Sequence, residues 1–301
     1  MRAYLLALFC ITAFLAANVA FAQMTSTNYE IRWDSVGFGG SDTSSSASYQ
    51  LRDTIGSVGA GQSTSTSYIL DSGYRAGIFD QIITFELFIQ GTTVTTASAL
   101  SSTTVTVADT SGFSVGDKIV IIQDRGTSQV AGVGEVTGIA GSDITVDAIE
   151  DGAGSVSVDG TDDYVYLMDA SSVNYGDVSD SEVVQSIVGW EVSIDMDGGY
   201  TVSVVDDGNL RSGSNDIDDV TDGSVTAGSE EYGGRSSDST LASSTFDTED
   251  AAFTTSYQQV GTESDAIFTS RDFLTLKAAR SSSSTTGTYS HTLSLIASGN
   301  Y

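Results

Sequence analysis

The chain has no proline, one cysteine, one histidine and only 11 basic residues among 301. Without proline, every turn must be made by glycine, asparagine, aspartate or serine, and proline-rich stalks and proline-containing wall-sorting motifs are excluded. The one cysteine, Cys10, sits in an apolar N-terminal run, so the rest of the chain has neither a disulfide nor thiol chemistry. Disulfides are the usual staple of small secreted domains; here size must take their place. A zinc set of thiolates and imidazoles cannot be assembled from one histidine, His291. Nucleophile-and-base hydrolysis would have to pass through that same residue. No Walker loop occurs, and the glycine run "AGVGEV" lacks the third glycine and the following helix of a dinucleotide site.

Basic charge is also scarce. Forty acidic residues leave a net charge of −29, which repels nucleic acid and anionic membranes. The same charge attracts divalent cations, and equally serves solubility or adaptation to salt. Disorder is not expected, because 40% hydrophobic and 9% aromatic residues can fill a core.

What is present begins with "MRAYLLALFCITAFLAANVAFA". Arg2, an apolar run from Leu5 to about Leu15 and the small-residue site Ala20-Phe21-Ala22 read as a secretory signal peptide over residues 1–22. The mature chain is then expected to start at Gln23 and to be secreted to the cell surface. The run is shorter than the roughly 20 apolar residues of a membrane span, and no later segment approaches that length.

Residues 23–80 repeat one phrase three times, with Tyr29 and Ile31, Tyr49 and Leu51, and Tyr68 and Leu70 at a spacing of two. That spacing puts each pair on one face of a strand. Serines precede each pair and glycines follow it, so the expected unit is one strand and a flexible turn. A unit so small must lie on a neighbour, on the chain's own sheet or on the next subunit's. "QIITFELFIQ", residues 81–90, reads as a strand. Residues 91–170 alternate apolar and polar residues between Gly-Asp and Gly-Ser turns, which predicts a compact small β-barrel or roll. Beyond Ser171, "WEVSIDMDGGYTVSVVDDG" reads as two strands in a hairpin about Asp197-Gly198-Gly199, and late strands follow at "DAIFTSRDFLTLKAA" and "GTYSHTLSLIAS". The expected fold is all-β.

The phrases "DSVGFGG", "SASYQLRDTIG" and "STSYILDSGY", with the later "GGYTVSVVDDGNL", "AGSEEYG" and "GTYSHTLSLIAS", resemble uncharacterised secreted surface proteins of candidate-phylum bacteria. That resemblance covers about 190 residues. It implies an Ig-like sandwich of the WxL or fimbrial kind, built from residues 81–90 and 171–301, with residues 91–170 as an inserted domain. It carries no catalytic motif.

Among candidate sites, Asn215, Asp216, Asp218, Asp219 and Asp222 put five oxygen-bearing side chains into nine residues, the donor type that calcium prefers. Their spacing is not that of an EF-hand, and a solvated acidic loop explains them equally well. Trp33 is in phase with Tyr29 and Ile31, and Trp190 with Val192 and Ile194, which predicts core packing rather than exposed sugar-stacking platforms. His291 shares a face with Tyr289, Leu293 and Leu295, the pattern of a satisfied, partly buried histidine. The leading functional expectation is a secreted structural or adhesive envelope protein without catalytic activity, a layer or filament subunit partnered by itself or by other envelope components. The alternatives are a glycan- or ligand-binding module using the inserted domain and, third, a hydrolase with an unrecognised carboxylate pair.

Overall fold

The computed structural model describes residues 83–126, 129–152 and 154–300, and the backbone of six short strands before them. The chain divides into two compact units, Met1–Asp80 and Gln81–Tyr301. The signal-peptide residues 1–22, Trp33 and the tyrosines Tyr29, Tyr49 and Tyr68 lie outside the described residues.

In the first unit, β1 (Met24–Thr25), β2 (Glu30–Ile31), β3 (Gly39–Ser45), β4 (Gln50–Ile55), β5 (Gly61–Thr64) and β6 (Ile69–Ser72) pair in antiparallel twos. The glycine- and serine-rich stretches expected as turns supply β3 and β5. Pairing is a backbone property, so a strand with small side chains can still complete a ladder.

The second unit is all-β, with no helix among the described residues; none is long and apolar enough to cross a membrane. Its strand β7 (Ile83–Ile89) leads into β8 (Val94–Ser101), β9 (Thr104–Val107), β10 (Lys118–Gln123), β11 (Val130–Ala140), β12 (Asp143–Val146) and β13 (Tyr164–Leu167). These last six close into a barrel in the order β10-β11-β12-β9-β8-β13. Val105, Ile119, Ile121, Val136, Ile144 and Val165 fill its interior. The run "KIVIIQ" in β10 is buried on both faces. Ile119 and Ile121 point inward, while Val120 and Ile122 join Phe88, Ile187 and Phe273 in a separate apolar cluster. A strand covered on both sides reads as a continuous apolar run.

The remaining strands are β14 (Val184–Ile194), β15 (Tyr200–Asp206), β16 (Arg211–Ser212), β17 (Asn215–Asp216), β18 (Glu231–Ser236), β19 (Gln258–Glu263), β20 (Ile267–Ala279) and β21 (Leu293–Gly299). They form with β7 a four-stranded sheet, β18-β20-β14-β7, and a three-stranded sheet, β19-β15-β21. One core joins the two sheets: Trp190, Val192, Ile194, Leu274 and Leu276 meet Tyr200, Val202, Val204 and Val260. Trp190 is fully buried there, as its phase with Val192 and Ile194 predicts.

The hairpin expected about Asp197-Gly198-Gly199 is not formed. β14 pairs with β20 and β7, whereas β15 pairs with β19 and β21. The connection is an arch between sheets, in which the two apolar stripes face each other across the core instead of lying side by side. Gly199 N–H donates to the Met196 carbonyl at 2.9 Å. Gly199 has φ +65°, and a Cβ there would lie 2.0 Å from the Glu263 carbonyl oxygen, so the tight arch requires glycine.

Candidate functional site

A cavity of about 810 Å³ lies between the inward faces of the two sheets. Leu87, Ile89, Val188, Leu274 and Leu276 of the four-stranded sheet line one side, and Leu293 and Leu295 of β21 the other. β7 and β21 are the last strands of their sheets, and residues 171–178 and 284–292 complete the cavity wall. Leu87 is 45% exposed although it lines the cavity.

Polar groups share the lining: Tyr175, Tyr232, His291 and Arg280, the carboxylate Asp177, and a run of serines and threonines between Ser284 and Thr292. His291 Nδ1 lies 3.3 Å from the Gly208 carbonyl, and Nε2 lies 2.9 Å from the Tyr232 hydroxyl. A carbonyl only accepts, so Nδ1 carries the proton and the Tyr232 hydroxyl donates to Nε2. The rings meet edge to face at 4.9 Å. Burial lowers the His291 pKa, keeping the imidazole neutral at pH 7. This is the satisfied, partly buried histidine that its neighbours predict. Burial raises both tyrosine hydroxyls. The Tyr175 hydroxyl is buried beside that of Tyr232, with no hydrogen bond of normal geometry.

Asp206 continues the inward stripe Tyr200, Val202, Val204 at the end of β15. It is 8% exposed, and its Oδ1 is buried without a partner. Asp219 is raised by burial and then by the charges of Asp206 and Asp218.

The five proposed calcium ligands are spread along the segment. Asn215 and Asp216 form the exposed hairpin strand β17. The Asp218 carbonyl accepts from Tyr232 N–H, and Asp219 forms a bridge with Tyr232. Asp222 Oδ1 accepts from Ser224 N–H, closing a local turn. Among the described residues, no three acidic or histidine side chains are grouped so as to hold a metal ion.

Two charged clusters that sequence reading missed lie elsewhere. Beneath the barrel, Arg271 of β20 is 4% exposed on its side chain and bonds Glu191 at 2.6 Å and Asp147 at 2.7 Å. Lys118 bonds Glu135 and Glu191. Arg271 and Glu191 are direct cross-strand partners, while Lys118, Glu135 and Asp147 come from the barrel segment. Burial alone would raise Asp147, but hydrogen bonds from Arg271 and from the Glu135 and Ala148 amides outweigh it and bring the carboxyl to about 2. On the same strand, burial and then the Asp238 charge push Asp272 up to about 8. Ser237 Oγ donates to Asp272 Oδ1 at 3.0 Å. Asp238 accepts from Thr240 and Thr262 amides, both at 2.8 Å. Neither carboxylate lines the cavity.

No family model, curated protein or solved structure matches the chain. The functional reading therefore rests on this geometry and on the sequence.

Proposed function

We propose that the chain is a secreted structural or adhesive protein of the cell envelope, without catalytic activity, which joins copies of itself or other envelope components through open strand edges. In this reading the four- and three-stranded sheets are an Ig-like sandwich interrupted by the barrel, as the resemblance to secreted surface proteins of candidate-phylum bacteria implies. The observation that carries it is the pair of edge strands. β7 and β21 are each seven residues long; β21 has a paired neighbour on one side only among the described residues, and on the outer edge of β7 only Ile89, at its end, has a partner, the Ala170 amide. Their ladders keep register without a bulge. Neither contains lysine or proline, and β21 has no charge at all. Natural sheet edges are commonly blunted by such devices. Ile83, Leu87 and Ile296 are exposed along them. An unblunted edge is a template for a further strand, and strand addition lets a subunit polymerise without a helix or a disulfide.

The test compares the mature protein with a Leu87→Lys/Ile296→Lys variant by analytical ultracentrifugation and negative-stain electron microscopy. Concentration-dependent oligomers of the natural protein that are lost in a variant with an unchanged thermal melt support the reading. A natural protein that stays monomeric across the whole range overturns assembly through these edges.

A further inference from the structure

The cavity carries a second, independent possibility in its chemistry: a cation that is not matched to a carboxylate. Lys118, Arg211, Arg271 and Lys277 each form an ion pair with a carboxylate. Arg280, which lines the cavity, donates from Nε to the Val178 carbonyl at 2.6 Å and from Nη1 to the Ser281 carbonyl at 3.3 Å. Carbonyls satisfy donors but leave the guanidinium charge uncompensated. Glu230, a carboxylate reaching this part of the chain, is hydrogen-bonded to the Ser284 hydroxyl. The segment that accepts from Arg280 also carries Asp177, an exposed carboxylate that lines the same cavity but forms no ion pair with Arg280, and Tyr175, whose hydroxyl lies beside that of Tyr232. A guanidinium is shaped to take a planar carboxylate through two parallel N–H donors. The cavity volume falls within the usual span for small-molecule sites, roughly 300–1,000 Å³, and its walls offer alkyl side chains from both sheets.

We propose that the cavity between the two sheets binds an amphipathic anion, an alkyl chain ending in a carboxylate, with the chain against Leu87, Ile89, Leu293 and Leu295 and the carboxylate on Arg280. The net charge of −29 repels an approaching anion at long range. Recognition therefore depends on contact with Arg280, and at physiological salt, where screening acts over about 8 Å, the distant charges are muted.

The experiment uses the full-length protein, the neutral dye N-phenylnaphthylamine as a fluorescent probe of the cavity, and displacement by dodecanoate or dodecanol. Dodecanoate should displace the dye at roughly one-tenth of the dodecanol concentration, the factor expected for one charge-assisted pairing. Arg280→Gln should remove that preference while dye binding persists, and Leu295→Trp, which fills the cavity, should weaken dye and both displacers together. Thermal melts verify that each variant is folded, and Arg280→Lys, which keeps the charge, should retain part of the preference. Dodecanol displacing as well as dodecanoate overturns the proposal, as does a preference that survives Arg280→Gln. Exclusion of the dye at every protein concentration also overturns it; if oligomers form in that case, a second copy fills the groove.

Discussion

Asp272 and Asp147 show how one residue type takes opposite roles within one fold. Asp272 is held near 8, chiefly by burial and then by Asp238, so the folded state favours its protonated form. Its contribution to stability is complete below the ordinary carboxyl value near 4 and is lost as the pH rises towards 8. Asp147, held at about 2 with Arg271 as the main stabilising partner, has the reverse sign: its contribution is present above about 4 and is lost as the pH falls towards 2. Asp272→Asn, which mimics the neutral acid, is expected to be more stable than the natural protein at pH 8 by more than about 1.4 kcal/mol, the worth of one pH unit of linkage. The two should converge near pH 4 in urea titrations. A natural protein as stable as the variant at pH 8 would count against a protonated Asp272. Neither role was legible in the sequence. With 40 acidic residues, no single carboxylate stands out until burial and partners single it out. Arg280 was in principle visible, as one of few basic residues closing an apolar strand, but its lack of a carboxylate partner is a property of the folded state.

At the scale of the element, alternation was readable and pairing was not. The period of two in "WEVSIDMDGGYTVSVVDDG" marks β14 and β15 and their apolar faces, yet the same pattern serves a hairpin and an arch. What decides between them is whether the two apolar stripes need each other, and here they do. One glycine in β14 had no turn to explain it. Gly189 pairs directly with Phe88 of β7, and a Cβ at Gly189 would lie 2.1 Å from the Phe88 ring. The ring lies over that glycine and belongs to the apolar cluster shared with barrel residues Val120 and Ile122. Gly189→Val is therefore expected to displace Phe88 and to cost about 1–3 kcal/mol, the usual range for overpacking. The measurement is the denaturant midpoint at unchanged slope. A variant with the natural midpoint would mean that the ring has room to move.

At the scale of the molecule, the barrel's texture between Val94 and Leu167 could be read from its short alternating strands, but its seat could not. Phe88, Ile187 and Phe273 on the sheet and Val120, Ile122 and Tyr166 on the barrel are apolar residues on faces that a solvated sheet would leave polar. That was the available sign of a second covered face. The path of the chain through this arrangement bears on how it folds. β7 and β14 are hydrogen-bonded neighbours although about 100 residues separate their contacts, a long loop to close from a random chain. The first and last strands of the barrel pair with each other, Val94 opposite Tyr166, and Gly91 N–H donates to the Leu167 carbonyl at 2.7 Å. Once the barrel has closed, its two ends leave side by side, and the loop shrinks in effect to about 20 residues. By the logarithmic law that fivefold shortening lowers the closure entropy by about 1.4 kcal/mol, close to tenfold in rate. Refolding followed by stopped-flow fluorescence should thus show the barrel forming before Trp190 is buried between the sheets, with Trp190 signal lagging barrel amide protection in pulsed hydrogen exchange. A chain in which Trp190 is buried first would assemble its sheets around an open loop, and the barrel's side-by-side ends would then have no part in the order of events.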